Sequence, residues 1–158
     1  MLGFRRRFSR CTNLYNPRVE ARILALDVGS RTLGLAVTDP LGITAQGLPT
    51  IRRKNRRADF AQLDSVVKKY DVKEFVVGYP LRLSGATGTQ SEKMTVFAEQ
   101  LRERYARPVH LWDERLTTAE AQRVLRESEM SAKRRGEVVD QLAAVLILQS
   151  FLESRQSE

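Results

Sequence analysis

The sequence predicts an α/β fold, in which helices flank a mixed five-stranded sheet made of an antiparallel meander and parallel strands. Five short apolar stretches are rich in the branched residues that fit a pleated sheet. The first three follow one another without a helix, which indicates a meander. The last two alternate with helical stretches, which indicates parallel crossovers. At 158 residues the chain is long enough for one full core and short for two, so we expect one folded domain.

The most informative stretch is Arg22–Asp39, which has the pattern of two strands joined by a glycine-containing turn. The strands are predicted at Ile23–Leu26 and Leu33–Val37. The first ends on Asp27, and a carboxylate at the end of a buried strand is costly to desolvate unless cations or donors surround it. Arg31 is the only basic side chain close by in sequence. We therefore expect other acids to converge on Asp27 and to share a divalent metal ion with it.

The third predicted strand, 42–51, contains Gly47 and Pro49. A strand with a proline is expected at the edge of a sheet, where a missing N–H group is tolerated. The later elements are recognised by the spacing of apolar residues and by capping patterns. They are a helix over Ala58–Tyr70, a strand over Val72–Val77, a helix over Ser91–Tyr105, a strand over Val109–Trp112, a helix from Thr117 and a last helix from Ser131 to about Ser154.

The chain carries a formal net charge of +8, from 27 lysines and arginines against 19 acids. This surplus favours polyanions as partners. No apolar run approaches the roughly 20 residues that a membrane span needs, so a membrane protein is not expected. Residues 1–21 are rich in arginine and show no regular period, which predicts a flexible basic extension of a domain at 22–158.

Cys11 is the only cysteine, so it cannot form a disulfide within the chain. A reducing compartment is the simplest home for such a protein, and we expect the cytoplasm. The arginine-rich, acid-poor start also occurs in organelle transit peptides, which is the alternative for residues 1–21.

The fifth strand ends on two acids. Alternation along the strand puts Asp113 on one face with Val109, and Glu114 on the other face with Trp112. Both acids lie at the carboxyl end of their strand, as Asp27 does, and ligand sites in open sheets form at that edge. Parallel strands would therefore bring these carboxylates to one rim.

The last helix is apolar nearly all round, and Asp140 stands out in it. Helical spacing places Asp140 on one stripe with Ala144, Ile147 and Phe151, so its carboxylate is expected to face the sheet. Carboxylates that meet in a buried site repel one another, and a divalent cation bound through oxygen removes that repulsion. Mg²⁺ leaves coordination sites for water and phosphate oxygens, which suits phosphodiester cleavage. The pattern indicates phosphoryl chemistry.

Several of the polar residues have plainer explanations. Asp39 precedes Pro40 and is expected in a turn. Glu114 beside Arg115 has the arrangement of an ordinary ion pair. His110 has no partner at the spacing of metal ligands, so we expect a packed strand residue there and no zinc site.

Two basic clusters are candidates for contacts with nucleic acid. The first is either a solvated loop or a phosphate-binding patch, and the sequence favours neither. If the clusters bind nucleic acid, Arg31 and Arg115 are expected nearer to the scissile bond than the other basic residues. The clusters are Arg52, Arg53, Lys54, Arg56 and Arg57, and Lys133, Arg134 and Arg135.

Four ordered motifs resemble the YqgF family, also called RuvX. They are Asp27–Asp39, Val77–Leu81 followed by Gly85, Asp113–Thr118 and Val139–Leu152, and they span nearly all of the chain after Arg22. Members of this family have been described as pre-16S rRNA nucleases and, earlier, as Holliday-junction resolvases. Four motifs in order are far more specific than one glycine-containing loop.

The resemblance implies an RNase H-like fold and a metal-dependent endonuclease. It implies catalytic roles for Asp27, Asp113, Glu114 and Asp140. Asp27 and Asp140 are expected to bind the ion together with one acid of the pair Asp113 and Glu114. The resemblance leaves open which of the two it is, and we take Glu114 as the metal ligand. Other RNase H-like nucleases commonly carry an acid at the end of the fourth strand, whereas this strand ends in Gly78–Pro80. Tyr79 in that stretch is expected either to pack or to stack on a base.

The leading functional hypothesis is an endonuclease that uses Mg²⁺ or Mn²⁺ and processes the 5′ end of pre-16S rRNA in ribosome biogenesis. A resolvase of Holliday junctions or other branched DNA is the first alternative, and a non-catalytic RNA-binding factor of ribosome maturation is the second. Residues 27–32 also resemble the phosphate loop of the actin and sugar-kinase ATPases. That activity needs two such domains, and this chain holds one. The sequence leaves the choice between a monomer and a homodimer open.

Overall fold

The computed structural model describes residues 21–79, 89–113 and 132–157, which form five strands and three helices. Their bounds are β1 Arg22–Val28, β2 Thr32–Thr38, β3 Ala45–Arg52, α1 Arg56–Tyr70, β4 Val72–Tyr79, α2 Thr89–Tyr105, β5 Val109–Asp113 and α3 Ala132–Gln156.

The strands form one sheet in the order β3-β2-β1-β4-β5. The pairs β1–β2 and β2–β3 are antiparallel, whereas β1–β4 and β4–β5 are parallel. Both predicted parts, the antiparallel meander and the parallel strands, are therefore confirmed. The central position of β1 places its carboxyl end, and with it Asp27, in the middle of the sheet edge.

Helices cover both faces of the sheet. On one face, which we call the helix-pair face, Leu24 and Leu26 of β1 join a core with α1 and α2. On the other, the α3 face, Ile23 and Ala25 pack in a second core with Ile147 of α3. This division follows from the period of two along a strand, which sends neighbouring side chains to opposite faces.

Helix α3 lies directly on the backbone of the sheet where it crosses β2. An ideal Cβ atom added at Gly34 would lie 2.1 Å from the carbonyl oxygen of Asp140, and one added at Gly47 would lie 2.6 Å from the side-chain nitrogen of Gln141. Towards the other end of α3, the indole nitrogen of Trp112 donates to the Ser150 hydroxyl at 3.0 Å. The helix thus runs diagonally from β2 and β3 to β5.

Two predicted boundaries are wrong for identifiable reasons. The third strand begins at Ala45 and not at position 42, because the Asp39 carboxylate accepts the backbone N–H groups of Ile43 at 2.7 Å and Thr44 at 2.9 Å and so closes a turn. Helix α1 begins at Arg56 and not at Ala58, because the Asn55 side chain caps it.

Other predictions fall outside the described residues. These are the basic extension, apart from residue 21, and the helix that was predicted to start at Thr117, together with the Ser131 cap of the last helix. Among the helices that the structure describes, none is long and apolar enough to cross a membrane.

Candidate functional site

Asp27 lies near the carboxyl end of β1 on the α3 face of the sheet. Its neighbours Leu26 and Val28 belong to the core on the helix-pair face, so alternation directs Asp27 to the other side. The side chain is half-buried. Its partner across the antiparallel pair is Gly34 of β2, and partners of this kind have Cα atoms about 4.5–5.5 Å apart.

Asp140 reaches the same place from α3. The missing side chain of Gly34 lets the backbone of Asp140 press against β2, one strand away from Asp27. The carboxylate of Asp140 is half-buried. Ala144 and Ile147, which follow on its stripe of the helix, are fully buried against the sheet. The predicted orientation of Asp140 towards the sheet is therefore confirmed, and Asp140 lies on the same face of the β1–β2 hairpin as Asp27.

Thr32, the first residue of β2, completes this group. Its hydroxyl donates a hydrogen bond to Oδ2 of Asp140, across 108 positions of sequence. The sequence predicts a metal ion as the partner of Asp140, and the Thr32 hydroxyl is a further partner that it did not predict. The sequence holds no signal for this contact, because it depends on where α3 crosses β2.

The end of β5 lies further from Asp27 than we expected from the prediction that the terminal carboxylates share one edge of the sheet. Gly78 of β4 pairs with Trp112 of β5, and Leu26 pairs with Val77, so β4 separates the two strand ends. Two strand spacings amount to about 10 Å. The neighbours β1, β4 and β5 are parallel, as predicted, but their terminal residues are spread along the edge.

Asp113 and Asp140 lie on different faces of the sheet. Val109, on the stripe of Asp113, belongs to the core on the helix-pair face, whereas the ring of Trp112 packs edge-on against Phe151 of α3. Alternation therefore assigns Asp113, which is exposed, to the helix-pair face. The same rule assigned Glu114 to the opposite face from the sequence, and Glu114 lies outside the described residues.

The described groups at the hairpin suit a hard divalent cation. Two carboxylates and a hydroxyl offer only oxygen donors, and Mg²⁺ is bound in proteins through one or two carboxylates while keeping several water ligands. Within the described ranges no three His, Cys, Asp or Glu side chains approach closely enough to hold an ion together. The roles of Asp27, Asp140 and Glu114 as metal ligands remain predictions.

The members of the first basic cluster have different environments, because one of them binds a buried acid and the others are exposed. Arg53 donates from Nε to Oδ2 of Asp59 at 3.2 Å and from Nη1 to the Gly29 carbonyl at 2.7 Å. Its backbone N–H donates to the Arg31 carbonyl at 2.8 Å. Asp59 is only 3% exposed, so Arg53 is the internal partner of a buried carboxylate. The other four members of the cluster are exposed, as is Arg31.

A cavity of about 810 Å³ opens beside these residues, on the helix-pair face of the hairpin turn. Its wall includes Gly29 of the turn and the basic side chains of Lys54, Arg56 and Lys93. We call it the basic groove. It begins at the turn that directly follows Asp27, so a polyanion lying in it would reach the same hairpin as the carboxylates on the α3 face.

Asp39, His110 and Tyr79 make contacts that belong to the fold. The two backbone N–H groups that bind Asp39, with Thr44 the larger influence, lower the pKa of its carboxyl group below the ordinary value, which confirms the predicted turn role. His110 lies against the Phe151 ring and its Nε2 is 2.5 Å from Oε1 of Glu74. Tyr79 packs against the core on the helix-pair face.

Glu114 and Arg115 lie outside the described residues, and so do the side chains of the second basic cluster, which are Lys133, Arg134 and Arg135.

The family model of RuvX, described as Holliday junction resolvase, matches residues 21–154. The chain belongs to the RuvX family. Membership confirms the resemblance carried by the four motifs, and with it the prediction of a hydrolase of the nuclease class.

Similar proteins and structures agree with this assignment. A Koribacter versatilis protein is 63% identical over 137 residues, covering 87% of this chain and 90% of the relative. A Moorella thermoacetica protein is 52% identical over 132 residues, covering 84% and 94%. Both are named "Putative pre-16S rRNA nuclease".

Solved structures confirm the RNase H-like fold. Thermus thermophilus RuvC in complex with a Holliday junction substrate matches with a TM-score of 0.53 at 13% identity, covering 87% of this chain and 96% of the other. Fowlpox virus resolvase in complex with Holliday junction DNA matches with a TM-score of 0.51 at 10% identity, covering 85% and 98%.

Proposed function

We propose that the chain is a divalent-metal-dependent endonuclease that processes the 5′ end of pre-16S rRNA. The placement of Asp27 and Asp140 on one face of the hairpin carries the proposal, because two carboxylates on the same face, with a hydroxyl donor beside one of them, suit Mg²⁺ or Mn²⁺. The name of the two relatives supports the substrate. A cytoplasmic location follows from that substrate.

In this proposal Asp27, Asp140 and Glu114 hold the metal ion. The bound ion would lower the pKa of an attacking water molecule and stabilise charge on the leaving oxygen. Thr32 keeps the Asp140 carboxylate in place. Asp113 lies on the other face of the sheet and is not a ligand of the ion in this proposal, and the catalytic role that the resemblance implies for it stays a prediction. These roles extend the geometry of Asp27, Asp140 and Thr32 to residues that the sequence predicted.

The exposed basic residues at the hairpin are proposed to hold the phosphate backbone. Arg31 follows Asp27 in the turn, and Lys54 and Arg56 line the basic groove that starts there. Arg115 and the second basic cluster keep the phosphate contacts predicted for them. Lysine and arginine side chains attract phosphate of any sequence, so these contacts position the substrate without selecting bases.

Branched DNA is the second candidate substrate, because the family itself is described as a Holliday junction resolvase. The two candidates make different demands on the protein. Resolution of a four-way junction needs two symmetric cuts, which a homodimer would provide, whereas trimming of an rRNA precursor needs one cut at one position.

The test is a digestion of matched substrates by the full chain, with Mg²⁺ or Mn²⁺. Radiolabelled pre-16S rRNA with its 5′ extension and a four-way DNA junction of similar length are compared at equal concentration. We expect metal-dependent cleavage of the RNA near the mature 5′ end, and no such cleavage in Asp27→Asn, because that variant loses a ligand to the ion. Faster cutting of the junction would favour the second candidate. Binding of the RNA without cleavage by wild type would favour the non-catalytic maturation factor.

Asp27→Asn also separates catalysis from binding. Removing a negative charge near the phosphate should leave RNA affinity intact or raise it, which a gel-shift titration measures. Wild-type cleavage rates in this variant would contradict the assignment of Asp27.

A further inference from the structure

We propose that Thr32 is a positioning residue that fixes the orientation of the Asp140 carboxylate for metal binding. The inference rests on the proposed function, because this orientation matters only if Asp140 is a ligand. The observation that carries it is the hydrogen bond from the Thr32 hydroxyl to Oδ2 of Asp140.

Thr32 is itself held in place by the hairpin. Its carbonyl oxygen accepts the N–H group of Gly29 at 2.9 Å, which closes the turn between β1 and β2. A threonine side chain is branched at Cβ and therefore has few rotamers. With the backbone fixed by the turn and the strand, the hydroxyl has a defined direction towards α3.

The hydrogen bond gives the two oxygens of Asp140 different roles. Oδ2 accepts the Thr32 hydroxyl, and the rotation of the carboxylate about its Cβ–Cγ bond is thereby restricted. In this orientation Oδ1 keeps both of its lone pairs for an ion. Carboxylates that ligate metals are commonly held by such outer hydrogen bonds, and loss of one typically costs about 10- to 100-fold in metal affinity or activity.

A hydroxyl suits this task because it is uncharged. An arginine at the position of Thr32 would orient the carboxylate but would also neutralise its charge and compete with a cation. Asp59 shows that arrangement elsewhere in the molecule, since it binds Arg53 and the backbone N–H group of Lys54. Thr32 leaves the negative charge of Asp140 available to a metal ion.

The alternative is that the contact only attaches α3 to β2. Thr38 provides a matched control for this role, because it lies on the same strand and the same face and is fully buried. Its hydroxyl accepts the N–H group of Ile23 at 3.0 Å, a contact with no carboxylate in it. Loss of the Thr38 hydroxyl should therefore affect stability without affecting a metal site.

The experiment compares Thr32→Val, Thr32→Ser and Thr38→Val in the full chain. Valine has the shape of threonine without the hydroxyl, and serine keeps the hydroxyl. Mn²⁺ affinity is measured by titration calorimetry, and the melting temperature is measured in metal-free buffer. We expect Thr32→Val to bind Mn²⁺ about 10- to 100-fold more weakly and Thr32→Ser to remain close to wild type. Thr38→Val should melt at a lower temperature and keep its Mn²⁺ affinity.

Asp140→Asn tells the two possible failures apart. Loss of Mn²⁺ binding in Asp140→Asn together with wild-type affinity in Thr32→Val would overturn the role of Thr32 alone. Equal losses of affinity in Thr32→Val and Thr38→Val would assign Thr32 to the structure and would also overturn the inference. Wild-type Mn²⁺ affinity in Asp140→Asn would show that Asp140 is not a ligand, and would overturn both the inference and the Asp27–Asp140 site on which the proposed function rests.

Discussion

The two faces of the sheet carry carboxylates with different hydrogen-bond partners. On the helix-pair face, Asp59 is buried and accepts hydrogen bonds from Arg53 and from the backbone of Lys54. On the α3 face, Asp140 is half-buried, and its carboxylate accepts a hydrogen bond from the Thr32 hydroxyl. Both acids lie beside the same hairpin.

The difference teaches how to separate a structural acid from a functional one. The cation and the N–H group at Asp59 satisfy its charge from within the protein, so the site is complete. One neutral hydroxyl orients Asp140 and leaves its charge in place, and a half-buried carboxylate in that state is suited to bind a cation. If the more buried acid were taken as the functional one, Asp59 would be chosen over Asp140, which is the wrong choice in this account.

The largest expected effect comes from the crossing of α3 and β2. Gly34→Ala would place a Cβ atom 2.1 Å from a backbone oxygen of Asp140, and the backbone cannot yield as a side chain can. We expect unfolding free energy to fall by about 1–3 kcal/mol. A shift of the helix by about 1 Å would also lower the cleavage rate by about 100-fold.

Gly47→Ala is the control for this prediction. Its added Cβ atom would meet the side chain of Gln141, which can move aside, so both losses should be smaller. Chemical denaturation and single-turnover cleavage measure the two quantities. Equal effects of the two substitutions would show that the close approach at Gly34 does not position Asp140.

The next effect distinguishes two arginines of the first basic cluster. Arg53→Ala removes the side-chain donor of the buried Asp59, and the structure should lose about 1–3 kcal/mol of stability. Arg56→Ala changes an exposed residue in the first turn of α1 and should leave stability nearly unchanged.

RNA binding should show the reverse pattern. If Arg56 contacts one phosphate, its loss should reduce the slope of log K against log salt by about 0.7 on single-stranded RNA. Arg53→Ala should leave that slope unaltered at a temperature where the variant is folded. Filter binding across a salt series gives the slopes. A reduced slope in Arg53→Ala with an unaltered slope in Arg56→Ala would reverse the roles given to these residues.

The smallest expected effect concerns Asp64, which lies on the helix-pair face away from the hairpin. Arg104 and, after it, Tyr105 donate to Asp64 and lower the pKa of its carboxyl group below the ordinary value of 3.8. Because the folded pKa is the lower one, the stability that Asp64 contributes is fully present above the unfolded pKa and is lost as pH falls through the folded pKa.

Asp64 and Arg104 are both well exposed, so their ion pair is expected to contribute little to the free energy of unfolding. Thermal melts of wild type and Asp64→Asn should differ by a constant amount from neutral pH down to mildly acidic pH, and the difference should shrink below about pH 4. A difference that stays the same in strong acid would show that the carboxylate charge contributes nothing there.

Sequence periodicity predicted what depends on neighbouring residues. The five strands, the mixed sheet and the orientation of Asp140 towards it all follow from periods of two and 3.6 residues. The contact of Thr32 with Asp140 does not, because it joins positions 108 apart and depends on where α3 crosses β2. The close approach of α3 at Gly34 could not be predicted for the same reason, since a glycine in a strand gives no indication of the element that packs on it.

Charge counting had a similar limit. Arg53 belongs to a run of basic residues that is uniform in the sequence, yet its guanidinium pairs with the buried Asp59. That pairing depends on the start of α1, which Asn55 fixes two residues earlier than apolar spacing indicated. The separation of Asp113 from Asp27 depends on the strand order, which places β4 between them.

The central claim is that a divalent ion binds on the α3 face of the hairpin and not on the helix-pair face. Calorimetric titration of Mn²⁺ into wild type, Asp27→Asn, Asp140→Asn and Asp113→Asn tests it most directly. We predict that the first two substitutions abolish or strongly weaken binding, whereas Asp113→Asn binds Mn²⁺ as wild type does. Wild-type binding in Asp27→Asn and Asp140→Asn, together with loss of binding in Asp113→Asn, would place the ion on the other face and contradict the account.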